Sequence, residues 1–579
     1  MIPRGSGRRA GLIIVLTGVL IAGVTLLAYR SPAPPKGPAN PATSTLNVAL
    51  PGPFNGCSVL SPAATATTSA ILDLIRPSAF LTGPTNVLYG EGGAIVSAEL
   101  ISLHPETVVY TVAKDMTWSN GQPFQVSDLI DWWHSARSVL SINGDGYRDI
   151  SSMVVNKTGT SVTATFSTDF ADWNLLFRDV EARGTTRSCR ITQLRSQPSL
   201  GPYRVQSAST SRIVLISNPE WTIDYNRFHR VIITSSTALP TSGSKYFVKY
   251  AAVASPALVS DLVAHPRYLG EFSDSSNIEE LTYSPVSNLT RHAAVRTALS
   301  WLLKRKNILT SLFGGLTFSP SVPTSALFSQ GQTDYPLPKT TVVPTADNAT
   351  LVDPSQDCRA CAQTILHHLG YSYDAAGWHS ATGAPLHLTL AQGPTTLDHA
   401  TARLVAQQWR SQGVRVTMRT AASDDQAAFL ASTGAVDVAV FDRPTSTTAW
   451  VSARSWGQTP YIDSYPSGVR SIAVNELFTL AQGTFNPATA ALTWLEIDHT
   501  ILANFWVRPL YTVPSFITWS NPMANVESAL SLSGFIDQLT NWGIATPSTT
   551  TTLASGLRLR PSVRLMYPRR SGEMADAPA

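Results

Sequence analysis

The chain has 579 residues, too many for one hydrophobic core, so two or three domains are expected. Apolar residues make up 43% and charged ones 14%, which excludes a disordered chain. Lys and Arg number 42 against 38 Asp and Glu, a net charge of only +4. The basic residues are scattered among acids, so a nucleic-acid-binding surface is excluded as well.

At the amino end, Arg4, Arg8 and Arg9 precede an apolar run from Ala10 to Tyr29. At about 1.5 Å per helical residue this run is long enough to cross ~30 Å of hydrocarbon. Positive charge ahead of it keeps the terminus in the cytoplasm and sends the body outward. A cleaved secretory signal would show the same charges, but with a shorter core and a small-x-small cleavage site. Leu27-Ala-Tyr-Arg30 is a poor site, and no Cys follows to carry a lipid. Residues 1–30 are therefore expected to remain as a single-span membrane anchor, with secretion as the outcome if they are cleaved. Residues 31–45, rich in Pro and Ala, read as an exposed linker.

Order begins with a strand at Leu46–Leu50, and a helix is expected over Ala63–Ile75. Thr107–Val112 reads as a strand, Trp118–Phe124 as a turn using Asn120-Gly121, and Ser127 as the cap of a helix through Trp133. Ser161–Phe166 alternates as a strand, a helix is expected to begin over Trp173–Phe177, and Leu200–Val205 with Ile213–Trp221 reads as a hairpin. Ile278–Ser284 is a short strand, ended by Pro285. One long helix should follow, with Val295, Ala298, Leu299, Leu302, Leu309, Leu312 and Phe313 on its apolar face and Gly314-Gly315 at its end. Pro320–Pro354 is too long for a simple connection. Beyond it come a helix (Gln356–Leu369), a strand (Leu386–Leu390), a helix (Asp398–Gln412) and strands at Val414–Arg419 and Val436–Phe441. This alternation implies a largely parallel sheet. It also suggests a second lobe whose sheet is separate from the one holding Val48. Trp494–Trp506 reads as a helix, Val507–Val513 as a strand, and disorder is expected from about Ser548.

No chemistry-bearing constellation emerges. The chain has no G-x-S-x-G elbow, no H-E-x-x-H and no phosphate-binding Walker loop. Cys358-Arg-Ala-Cys361 has redox spacing but no obvious strand ahead of its helix, so a structural disulfide or inert thiols are expected. Cys57 and Cys189 are the other pair; a bond between them would close a loop worth on the order of 4–5 kcal/mol. His367 and His368 are adjacent and would point apart on a helix, unlike a metal site. The chain is expected not to be an enzyme and to hold no cofactor and no metal.

Three blocks carry a resemblance. They are Ala294–Ile308, Thr107–Trp133 with Trp118, Ser119, Gly121, Pro123, Phe124 and Asp128 in register, and the hairpin around Gly201-Pro-Tyr203. In this order they resemble the family 5 extracellular solute-binding proteins, the peptide- and nickel-binding components of ABC importers. Lys304 stands where that family has Asp, and Ser217 where it has Arg. Short matches at Gly370-Tyr371, Val414–Arg419 and Val507–Val513 extend the resemblance over residues 46–543.

The resemblance implies an α/β, two-lobe periplasmic-binding-protein-like fold of class II, with an extra subdomain in the first lobe and a ligand cleft between lobes. Lobe I would span 46–274, with the inserted subdomain at about 64–188. Lobe II would span 275–507, residues 508–545 would return to lobe I, and 546–579 would be a disordered tail. It further implies a monomer outside the cytoplasm that binds a peptide or similar oligomeric solute and presents it to an ABC transporter permease in the membrane. Leu74–Phe80 and Gly146–Phe177 resemble instead a divergent lipoprotein branch linked to cell-envelope lipoglycan synthesis. There the protein would bind and regulate without transporting.

Candidate ligand-binding residues lie where α/β clefts open, at and beyond strand ends. Asp442 directly follows the run Val436–Phe441, and relatives place an Asp here to pair with the ligand's ammonium. Asp442 could instead cap the turn at Pro444, and Arg443 could compete for a carboxylate. Tyr283, Phe441, Trp450, Trp456 and Tyr511 lie at or after strand ends, and about half of these five should line the cleft. Phe54 and Asn55, after the first strand, complete the set. Trp118, Trp132, Trp133, Trp409 and Trp494 are assigned to cores.

Overall fold

A computed structural model describes residues 43–139, 144–185, 187–221, 228–236, 239–240, 245–332, 357–446, 448–457 and 466–544, and the backbone of Val343–Pro344 and Leu351–Val352. The expected anchor, most of the linker, most of the loop before Pro354 and the carboxyl-terminal tail lie outside these residues. Among the described residues no helix is long and apolar enough to cross a membrane.

The main strands in chain order are β1 (Thr45–Ala49), β2 (Ile95–Leu103), β3 (Glu106–Val112), β4 (Ile150–Val155), β5 (Ser161–Phe166), β6 (Tyr203–Ala208) and β7 (Arg212–Ser217). They continue with β8 (Arg230–Thr234), β9 (Phe247–Ala251), β10 (Tyr268–Tyr283), β11 (His387–Gln392), β12 (Arg415–Thr420), β13 (Val438–Pro444) and β14 (Val507–Ser520). The helices that matter below are α1 (Val126–Ala136), α2 (Ala293–Trp301), α3 (Arg305–Phe313), α4 (Thr396–Ser411), α5 (Asp424–Ser432), α6 (Ile472–Gln482) and α7 (Pro487–Ala503).

Ten strands form one sheet in the order β12-β11-β13-β10-β14-β9-β1-β8-β7-β6. The strands around Val48 and Val438 thus share a sheet, which corrects the expectation of two separate ones. The cause is the length of β10 and β14, 16 and 14 residues. They pair antiparallel from Tyr268↔Ser520 to Thr282↔Val507 and so link the strands around Val438 to those around Val48. Two register shifts, at Asp274/Ile278 and Glu279/Glu280, interrupt this ladder. Beyond it, β11 pairs parallel with both β12 and β13, as the helix–strand alternation implies. β2, β3, β5 and β4 make a second, antiparallel sheet.

Two local expectations are corrected. The long helix after Pro285 is two helices, α2 and α3, broken at Leu302–Lys304. Arg305, at the start of α3, donates to the Pro509 carbonyl at 3.0 Å and its backbone N–H reaches Asp357, contacts that hold α3 as a separate element. Helix α1 is capped two residues earlier than Ser127, at Gln125, whose N–H donates to Asp128 Oδ2 at 2.8 Å. The turn before it is as read, with Gly121 at φ +83°.

Three large apolar clusters fill the molecule. One joins Leu46, Val48, Ile71, Val231 and Trp542. A second joins Leu281, Leu299, Leu388, Val405, Trp409 and Val440 under the parallel strands. The third packs the antiparallel sheet and α1, through Trp118, Trp132 and Trp133, against Trp450, Trp456, Trp494 and Ile497 of the later helical segment. The five tryptophans assigned to cores are all buried. Cys57–Cys189 and Cys358–Cys361 are both disulfides. Cys358 caps its helix, its sulfur accepting from the Cys361 N–H. His367 bonds the Tyr371 carbonyl and packs edge-on to Trp378.

Candidate functional site

The carboxyl end of β13 is where the sequence places its main candidate, and the structure builds an acidic cluster there. Asp442 is largely buried. Its two carboxylate oxygens accept from one group, the Asn277 amide, at 3.1 and 3.0 Å. Among the described residues no Arg, Lys or His forms an ion pair with it. Burial pushes its carboxyl up to about 6; Asn277 opposes that, and Asp398 and Glu280 add to it. A neutral amide holds the side chain in place without neutralising its charge.

Strand register determines what surrounds Asp442. Directly opposite on β10 is Glu279, and opposite Glu279 on β14 is Tyr511. Glu279 is fully buried, and neither of its oxygens meets a donor among the described residues. Tyr511 is also buried; its hydroxyl meets Thr401 Oγ1 of α4 at 2.6 Å and its ring packs edge-on to Phe313. From α4 comes Asp398, a capping residue whose Oδ2 accepts from the Thr395 N–H at 2.8 Å. Asp424 begins α5. A Cβ on Gly393, just after β11, would collide with the carboxylates of both Asp398 and Asp424, so only glycine lets the two acids converge there. Four carboxyls thus meet at the carboxyl edge of the parallel strands, where open α/β sheets receive ligands. They are not grouped to hold a metal ion: among the described residues no three His, Cys, Asp or Glu side chains are.

Because side chains alternate along a strand, Phe441 and Arg443 face away from this cluster. Arg443 Nε donates to Glu280 Oε1 at 2.8 Å and Nη1 to Ser455 Oγ at 2.9 Å. Its guanidinium lies 5.4 Å from the Trp456 ring centre and 5.7 Å from that of Phe441. Arg443 therefore belongs to an interior ion pair and does not compete at the Asp442 site.

The structure brings Asp442 and Tyr511 together across Glu279, and Phe441 and Trp456 together under Arg443. The remaining candidates lie elsewhere. Tyr283, at the far end of β10, is buried and bonds Ser300. Phe54 is buried in the lobe I core, while Asn55 beside it is exposed, its N–H donating to Thr68. Trp450 is buried edge-on to Phe170 and donates to Gln482. These aromatics stand near strand ends, as expected, but pack inward, because each end abuts another layer of structure. The residues that sequence reading missed are Glu279, Asp398, Asp424 and Asn277. One signal was available: Glu279-Glu280 interrupts a strand buried on both faces, and two adjacent acids there each need an answer from opposite sides.

Comparison with known proteins gives a consistent picture. The chain matches the bacterial extracellular solute-binding proteins, family 5, over residues 98–464, which is more than half of its 579 residues. The oligopeptide-binding protein OppA of Mycobacterium tuberculosis is 26% identical over 169 residues, 27% of this chain and 29% of OppA. The probable monoacyl phosphatidylinositol tetramannoside-binding protein LpqW of the same organism is 27% identical over 187 residues, 29% of each chain. The matched stretch thus spans under a third of either relative. The solved structure of the periplasmic EDTA-binding protein EppA superposes with a TM-score of 0.73 at 20% identity, covering 90% of this chain and 99% of EppA. That likeness shows a shared two-lobe fold.

Proposed function

The chain belongs to the bacterial extracellular solute-binding proteins of family 5, and from that premise we propose that it captures a peptide or peptide-like solute between its lobes. Asp442 would receive the ligand's ammonium, and a membrane permease of an ABC transporter would receive the cargo. The observation that carries this reading is the state of Asp442: a largely buried carboxylate at the carboxyl edge of the sheet, held by an amide and without a cationic partner among the described residues. In a site of low polarity such a group favours a cation from outside. The crossing strands β10 and β14 supply the hinge about which the lobes would close. The body would work outside the cytoplasm, in keeping with its two disulfides, tethered by residues 1–30.

The LpqW relative supports a second reading, a regulatory protein that binds a glycolipid of the cell envelope. Electrostatics favours the first. A phosphate-bearing headgroup placed against Asp442, Glu279, Asp398 and Asp424 would meet a cluster of acids. Native mass spectrometry of the protein purified without refolding separates the two. Retained peptides support capture for transport; a retained glycolipid supports the regulator and removes Asp442 from the role given to it.

A further inference from the structure

A peptide's terminal ammonium brings three N–H donors, and on the reading above Asp442 takes it. Four further carboxyl oxygens at the same edge meet no donor among the described residues: both of Glu279, Oδ1 of Asp398 and Oδ1 of Asp424. Glu279 and Asp398 are each 0% exposed, so bulk water does not serve them either. Among the described residues no Lys, Arg or His forms an ion pair with any of these acids, and Arg443 is on the opposite face with Glu280. Buried acceptors of this kind are costly unless a donor reaches them. We propose that the site holds a second cationic group beside the terminal ammonium, and so selects peptides whose first residue is lysine or arginine. This rests on the reading of Asp442 as the ammonium anchor.

The backbone places the unanswered oxygens within one side chain's reach of that anchor. Asp442, Glu279 and Tyr511 are direct neighbours across β13, β10 and β14, so their side chains share one face of the sheet. Helix α4 lies over that face, because Thr401 Oγ1 meets the Tyr511 hydroxyl at 2.6 Å. Asp398 is three residues before Thr401, on the same side of α4. Asp424, at the start of α5, converges with Asp398 on the point that a Gly393 Cβ would occupy. The Gly393 N–H donates at 2.9 Å to the carbonyl of Val440, two residues before Asp442. Two strand residues span about 7 Å. Six bonds separate the two nitrogens of an amino-terminal lysine, and at about 1.5 Å each they also extend to on the order of 7 Å. An ammonium on Asp442 thus leaves the lysine's second ammonium at Glu279, Asp398 and Asp424. Burial lifts all four carboxyls above their usual range, a shift that a cation in contact with them reverses.

The test is calorimetry at pH 7.5 with four peptides: tetra-alanine, Lys-Ala-Ala-Ala, the same peptide acetylated on the lysine side chain, and Ala-Lys-Ala-Ala. Hydrogen bonds to charged groups are the stronger class, so Lys-Ala-Ala-Ala should bind at least about tenfold tighter than tetra-alanine. Acetylation of its side chain should remove that gain, and lysine in second place should gain less. The ratio between Lys-Ala-Ala-Ala and tetra-alanine should shrink in Glu279→Gln, and also in Asp424→Asn, whose partly exposed side chain makes it the variant to use if the first does not fold. A ratio near one in the wild type, the same gain for lysine in second place, or an undiminished ratio in the folded variants overturns the proposal. Binding of tetra-alanine with no preference for lysine thus leaves peptide capture standing and removes the second cation. If no peptide binds, peptide capture fails, and thermal unfolding with 1,4-diaminobutane against butylamine decides the second cation: the diamine should raise the melting temperature more in the wild type than in Asp424→Asn, and equal effects of the two amines overturn it.

Discussion

Asp442 and Arg443 are neighbours in sequence and face opposite sides of one sheet. Arg443 and Glu280 are 4% and 1% exposed, and each answers the other's charge. Removing one partner of a buried pair leaves an uncompensated charge, at a cost of about 3–5 kcal/mol. Arg443→Ala should therefore lower the unfolding free energy by roughly that amount. Asp442 has no charge partner to lose, so Asp442→Asn should leave the melting temperature nearly unchanged. Paired denaturation curves check this; equal losses in the two variants would contradict the assignment of faces. The place of Asp442 was legible only approximately: an acid directly after an apolar run marks the approach to a strand end, but β13 continues through Arg443 to Pro444. The aromatics were less so. An aromatic at a strand end meets a ligand or another layer of protein, and only tertiary packing decides which, as Trp450 against Phe170 illustrates.

At the level of elements, short alternating strands such as β5 and the hairpin β6–β7 were readable from their period of two. The full extent of β10 was not. Its first half, Tyr268 to Asn277, carries Gly, Ser and Asp instead of an alternating apolar pattern, and is a strand because β14 completes its hydrogen bonds. That unread half joins the lobes in one sheet. The break between α2 and α3 was hidden for the opposite reason: Trp301, Leu302 and Leu303 are all buried, so the apolar stripe runs on through the interruption. The disulfides separate by magnitude. Cys57–Cys189 spans 132 residues and Cys358–Cys361 only 3. In the chain-entropy model the first is worth about 5 kcal/mol and the second less than about 2. The double replacement Cys57→Ser, Cys189→Ser should cost far more stability than Cys358→Ser, Cys361→Ser. Thermal unfolding of both variants checks it, and the reverse order would contradict it.

Across the whole molecule, buried carboxyls set the response to pH. Burial lifts Glu91 and Glu106 to about 8 and Asp172 and Asp498 to about 7. Around Arg178, burial also raises Asp73, Asp179 and Asp537. Unfolded, such groups titrate near 4. Between about pH 4 and 8 the folded chain therefore binds more protons than the unfolded one. The associated stability is fully present below about pH 4 and is lost as pH rises through the folded values. The melting temperature should be higher at pH 5 than at pH 8. Glu106→Gln, whose amide oxygen can still accept from the Phe170 N–H, should regain part of the difference at pH 8 and change little at pH 5. A flat profile would contradict this.

The two-lobe frame, the hinge and the acidic edge converge on one expectation, that a ligand's ammonium docks on Asp442. Calorimetric titration of the wild type and Asp442→Asn with the peptides retained by the native protein tests it most directly. Affinity should fall by at least roughly tenfold in the variant, about 1.4 kcal/mol or more, with its melting temperature nearly unchanged. Unaltered affinity, or a loss matched by general destabilisation, would contradict it and leave Asp442 a structural strand residue held by Asn277.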